Sequence, residues 1–114
     1  MILEDIKIVK KKWGSEKWFF NCDEYCCKFL YVNKGASGSL HCHCVKKESF
    51  AVLSGVILLE LEGEIIKMAP DFRTVTILPG QWHRYTGIED SIILEGSTHH
   101  EDNDTVRKEE SRSG

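Results

Sequence analysis

Apolar residues along the chain alternate with polar ones in short runs, and turn residues interrupt those runs at close intervals. Side chains two apart share a face of a strand, so the alternation predicts strands at 5–10, 17–21, 25–33, 39–45, 49–53, 56–61, 65–68, 73–78, 82–85 and 91–95. Most of these runs are too short for a core helix. Between them stand Asn33-Lys34-Gly35, Ser37-Gly38, Ser54-Gly55, Glu62-Gly63-Glu64, Pro70-Asp71 and Pro79-Gly80, where glycine permits a positive φ and proline removes a ladder donor. The pattern is that of an all-β sandwich or barrel built as a meander of hairpins. After Ser97 the chain turns polar and charged, THHEDNDTVRKEESRSG. Residues 1–96 are therefore expected to form the barrel, and 97–114 a partly ordered tail that lies on the surface or frays.

Composition narrows the class further. A chain of 114 residues with 41% hydrophobic content is long enough for one compact core and too short for two ordinary domains. Its formal net charge of -3 offers no strong attraction to phosphate backbones or anionic membranes, which argues against nucleic acid as a partner. The basic cluster Lys7, Lys10, Lys11 and Lys12 is broken by Ile8 and Val9 and reads as a half-exposed strand. No stretch is long and apolar enough to span a bilayer, and the N-terminus MILEDIKIVKKKW lacks the apolar segment and cleavage site of a signal peptide, so a cytoplasmic protein is expected. The five cysteines Cys22, Cys26, Cys27, Cys42 and Cys44 are an odd number and are expected to be reduced. Neither cluster has the C-x2-C spacing of a zinc knuckle, and Cys42 and Cys44 read as small apolar residues on the outside of their sheet. Trp13, Trp18, Phe19 and Phe20 bring more apolar surface than a small barrel buries alone, which predicts a homodimer with these aromatics at the interface.

The chemistry is concentrated in SGSLHCHCVKKESFAVLSG. On a strand His41 and His43 point to one face, while Cys42 and Cys44 point to the other. Glu48 could open the next strand and return a carboxylate to the same interior, and His83, after the Pro79-Gly80 turn, could add a third imidazole. Three imidazoles and one carboxylate suit a divalent first-row metal with positions left open for water or substrate: Zn, Mn, Fe, Ni or Co. His99 and His100 sit in the charged tail and read as solvated.

Gly35, His41, His43, Glu48 and Gly55 match the first motif of the cupins, G-x5-H-x-H-x4-E-x6-G, at every fixed position, and the chain resembles that superfamily. Gly80-x2-His83 resembles the second motif, with Pro79 directly before the glycine and Gly87 where many cupins carry Asn. The resemblance implies a double-stranded β-helix, a jelly-roll-like barrel in one domain. Within the cupins the chain is similar, from about Trp13 to Arg112, to the cupin domain of type II mannose-6-phosphate isomerases and to lyxose isomerase-like proteins. That similarity rests on Trp13-Gly14, Tyr25-x2-Lys28, His83-Arg84 and the ending Asp102-Asn103-Asp104-Thr105-Val106-Arg107. His41 stands where the type II enzymes usually carry Gln, and these 114 residues hold no nucleotidyltransferase domain.

The resemblance implies aldose–ketose isomerisation of a sugar or sugar phosphate, which needs a Lewis acid for the developing oxyanion and a base for the proton. Lys28, 13 residues before His41, and Glu95 are the candidates for proton transfer. Arg84 and Arg107 are the candidates for holding a phosphate through forked hydrogen bonds. Because neighbouring strand residues face opposite ways, Arg84 reaches the pocket only through a bulge or turn. Lys28 and Glu95 have an ordinary alternative as strand residues facing solvent. Two other functions stay open: a small-ligand-binding cupin without turnover, and an iron-dependent dioxygenase.

Overall fold

The computed structural model describes all 114 residues. Eleven strands follow one another along the chain: β1 (Lys7–Lys11), β2 (Gly14–Asn21), β3 (Cys26–Val32), β4 (Leu40–His43), β5 (Glu48–Ser54), β6 (Ile57–Leu61), β7 (Glu64–Met68), β8 (Thr74–Ile77), β9 (His83–Gly87), β10 (Ser91–Ser97) and β11 (Thr105–Glu109). Each strand expected from the alternation forms, with ends shifted by at most three residues. All pairings are antiparallel and build two sheets, β1-β2-β3-β10-β5-β8 and β11-β4-β9-β6-β7.

The two sheets face each other over one interior. β3 buries Cys26, Lys28, Leu30 and Val32, β5 buries Glu48, Phe50 and Val52, and β10 buries Ser91, Ile93 and Glu95. The period of two is thus carried by inward residues, with the alternate positions only half-buried. Trp13, Leu30, Val32, Ala36, Phe50, Val52, Ile57, Leu59, Met68, Ile77, Tyr85 and Ile93 form one apolar cluster. Gly55, the last residue of the first motif, takes φ +82°, and a Cβ there would stand 2.4 Å from the Asp90 carbonyl. Only glycine lets the β5–β6 turn close against the start of β10.

Residues after Ser97 lie mostly at the surface and include regular structure. A single 3₁₀ turn at Asp102–Asp104 leads into β11, which pairs with β4 as the edge strand of its sheet. Strand alternation misses β11 because only Thr105 is even partly buried along it. Trp13 also departs from the interface reading: it is a core residue, packed edge-on at 5.2 Å from Tyr85. Phe20 is exposed as expected, and Trp18 and Phe19 are half-buried. No helix is long and apolar enough to cross a membrane.

Candidate metal centre

β4 carries His41 and His43 two residues apart on its inner face, Glu48 opens β5, and His83 opens β9 in register with His41. One ligand atom from each of the four lies within 4.8 Å of the others, close to the span of about 4 Å expected around a first-row cation. The imidazoles are preset for binding. His41 Nδ1–H donates to the Ser39 carbonyl at 2.9 Å and His83 Nδ1–H to the Gln81 carbonyl at 2.9 Å, which leaves each Nε2 with a free lone pair. His43 Nδ1 meets the Thr105 hydroxyl of β11 at 3.3 Å.

Two buried side-chain atoms have no hydrogen-bond partner, Glu48 Oε1 and His83 Nε2. They approach to 2.8 Å without hydrogen-bond alignment. Neighbouring ligands on a cation with bonds of about 2.1 Å sit roughly 3 Å apart, so this pair is spaced as two ligands of one ion. A buried polar group left unsatisfied is costly, and a cation at this point answers both. Electrostatics agree. Burial, joined by the nearby His83, lowers the His41 pKa to about 4, and burial lowers that of His43 to about 3, so both rings stay neutral at ordinary pH. Burial works against the Glu48 charge, but the Lys46 ammonium at 3.1 Å outweighs it and holds the carboxyl well below the usual range. The residues therefore fit a divalent metal in both geometry and charge state.

The cluster opens into a cavity of ≈ 70 Å³, which Lys28, Lys46, Glu95, Glu16, His100 and Arg107 also line. Of the residues expected from sequence, Lys28 and Glu95 are brought to the metal side and buried to 2% and 4% exposure. They are cross-strand neighbours in one row, Trp18–Lys28–Glu95–Phe50. Lys28 Nζ lies 3.9 Å from the Trp18 ring centre and 3.6 Å from Glu16 Oε1. Arg107 reaches the mouth from β11.

Arg84 does not reach the cavity, which corrects its assignment. No bulge interrupts β9, so the alternation that turns His83 inward turns Arg84 outward, where it pairs with Glu60 at 2.7 Å and Glu109 at 3.0 Å. His100 is corrected the other way. It is not solvated but lines the cavity, and its Nδ1 accepts from Lys46 Nζ at 3.0 Å. Lys46 itself, 3% exposed, went unrecognised because it sits between strands, where alternation says nothing about facing. Its position inside the spacer of the first motif was the available signal.

The sequence matches no family model and no curated protein. Among solved structures, it is similar to KdgF from Halomonas sp., with 21% identity, a TM-score of 0.76 and coverage of 88% of this chain and 90% of that one. An RmlC-like cupin from Shewanella frigidimarina NCIMB 400 aligns at 15% identity and a TM-score of 0.77, over 90% of this chain and 92% of the other. The chain has the cupin fold. The capsular polysaccharide assembling protein CapF from Staphylococcus aureus also contains this cupin architecture, at 23% identity and a TM-score of 0.78 over 92% of this chain, which spans 34% of CapF. At these identities the likeness is one of fold.

Proposed function

We propose that this cupin is a metal-dependent isomerase of a small sugar or sugar phosphate, working through an enediol. The observation that carries the reading is that Glu95 and Lys28, both buried, line the same cavity as His41, His43 and Glu48. A divalent metal held by His41, His43, Glu48 and His83 would supply Lewis-acid stabilisation of a developing oxyanion.

The chain's own groups do the rest. Glu95 Oε2 accepts from Lys46 at 3.0 Å, while its Oε1 makes no hydrogen bond within the chain. Burial and then the Glu48 charge push the Glu95 carboxyl above its usual range, which suits an oxygen that takes a proton from the carbon beside a carbonyl and returns it to the neighbouring one. Lys28, the cross-strand neighbour of Glu95, offers its ammonium to a hydroxyl or carbonyl oxygen of the substrate. Arg107, exposed at the mouth and free of any ion pair, holds an anionic end of the substrate through a forked contact.

The test is solvent exchange. Mannose 6-phosphate and lyxose are offered to the metal-loaded protein in deuterated water, and deuterium is expected at C2, with the rate cut by about 10²-fold or more in Glu95→Gln. Metal uptake without exchange on either sugar would overturn the isomerase reading and leave a ligand-binding cupin. The reading includes a cytoplasmic homodimer. The five free cysteines support a reducing compartment. Half-buried Phe19, Phe29 and Tyr31, packed edge-to-face on the outer face of the six-stranded sheet beside exposed Phe20, support a self-contact.

A further inference from the structure

The segment after Ser97 builds a frame around the metal ligands from outside. The Asp104 carboxylate accepts three backbone N–H groups of the β4–β5 loop, from Cys44, Val45 and Lys46, at 3.0, 2.9 and 3.0 Å. That fixes the loop from which Lys46 enters the barrel. His100 is fixed in turn, because the Asn21 amide donates to its carbonyl at 3.0 Å and accepts its N–H at 2.9 Å. Its ring stands edge-on to Trp18 at 5.0 Å, and Nε2–H donates to Asp102 Oδ1 at 2.9 Å. That bond settles the tautomer, and Nδ1 is left as an acceptor aimed at Lys46.

The Lys46 ammonium therefore has three anchors: Glu95 Oε2 at 3.0 Å, His100 Nδ1 at 3.0 Å and Glu48 Oε2 at 3.1 Å. Two of the three N–H donors of the ammonium are given to Glu95 and His100, and the third contact is the ion pair with Glu48. The third anchor matters most for the site. Lys46 occupies one oxygen of Glu48, and the other, Oε1, is the orphan that faces His83. We infer that Lys46 is a positioning residue that restricts Glu48 to a single metal-binding oxygen, and that His100 and Asp104 of the C-terminal segment hold it there. Affinity and coordination at the metal centre are thus set partly by residues outside both cupin motifs. The inference rests on the four-residue metal site and is independent of the isomerase reading.

The experiment uses Co2+ as a spectroscopic probe. Full-length wild type, Lys46→Met, His100→Phe and Lys47→Met are titrated against a competing chelator, and both affinity and visible band shape are read, with a thermal melt on each. Met keeps the length and bulk of Lys46 without the charge, and Phe keeps the ring of His100 without its nitrogen. Lys46→Met is expected to show an altered band as Glu48 offers both oxygens, with Co2+ affinity shifted about 10-fold or more from wild type. His100→Phe should move both readouts in the same direction by less, and the exposed Lys47 is the control, with wild-type values. Wild-type affinity and band in a folded Lys46→Met, or in His100→Phe if Lys46→Met does not fold, would overturn the inference. A wild type that takes up no Co2+ would bring down the metal site itself.

Discussion

The two ends of the barrel interior are built from the same strands and differ almost completely in chemistry. Toward one end β3, β5, β9 and β10 point Lys28, Glu48, His83 and Glu95 inward, and toward the other they point Val32, Val52 and Ile93 into a closed apolar cluster with Ile57 and Leu59. Phe50, Tyr85 and Trp13 lie between, with Phe50 6.4 Å from His83 and 6.1 Å from Tyr85, and Tyr85 5.2 Å from Trp13. This aromatic layer allows buried charges to sit above a dry core. The apolar end holds the fold, and the polar end, where burial of charge is costly, gathers the four candidate metal ligands.

The two ends are expected to fail separately. The largest effect is expected for His41→Ala with His43→Ala: roughly one metal per chain in the wild type should fall to none by elemental analysis, while the circular dichroism stays that of a folded β protein. Metal retained by the double variant would break the assignment. Leu59→Ala, at a residue with no exposed surface, should cost about 2–5 kcal/mol in denaturant unfolding and leave metal stoichiometry unchanged.

A subtler division appears with pH. In metal-free protein the fold keeps His41 and His43 neutral, with pKa values near 4 and 3 against an ordinary 6.5, so below pH 6.5 the unfolded chain binds more protons than the folded one. The stability these rings contribute is complete above pH 6.5 and is lost as pH falls toward 4, with about 3 kcal/mol at stake for His41 alone. Thermal midpoints in chelator from pH 7 to pH 4 measure it, and a flat profile would contradict it. The smallest effect belongs to Arg84→Ala, whose half-exposed pairs with Glu60 and Glu109 are worth at most about 1 kcal/mol. It should change neither metal binding nor sugar exchange, and a loss of exchange would return Arg84 to the site.

Much of this was legible in the residues themselves. Alternation located the strands and put His41 and His43 on one face, with Glu48 able to return a carboxylate to the same interior from the next strand. What alternation resolves is inside against outside, and it rightly made an inward Arg84 depend on a bulge that the strand does not have. It cannot say toward which end of the barrel an inward residue lies, so Lys28 and Leu30 looked equivalent until the pairing of β3 with β10 set Lys28 beside Glu95. Lys46, His100 and Asp104 were illegible for another reason. They lie in loops or a single turn, and their roles depend on contacts between residues more than fifty positions apart.

The pairing of β4 has a consequence for the order in which the protein is made. β4 joins β9 only at His41 and His83, whereas β11 lies along it from His43 to Leu40. All four ligands have been synthesised once residue 83 has emerged from a ribosome, but the strand that straightens two of them comes more than twenty residues later. Closing so long a loop is slow compared with local hairpin formation. A nascent chain that has reached residue 83 therefore carries His41 and His43 on an open sheet edge until β11 docks along it.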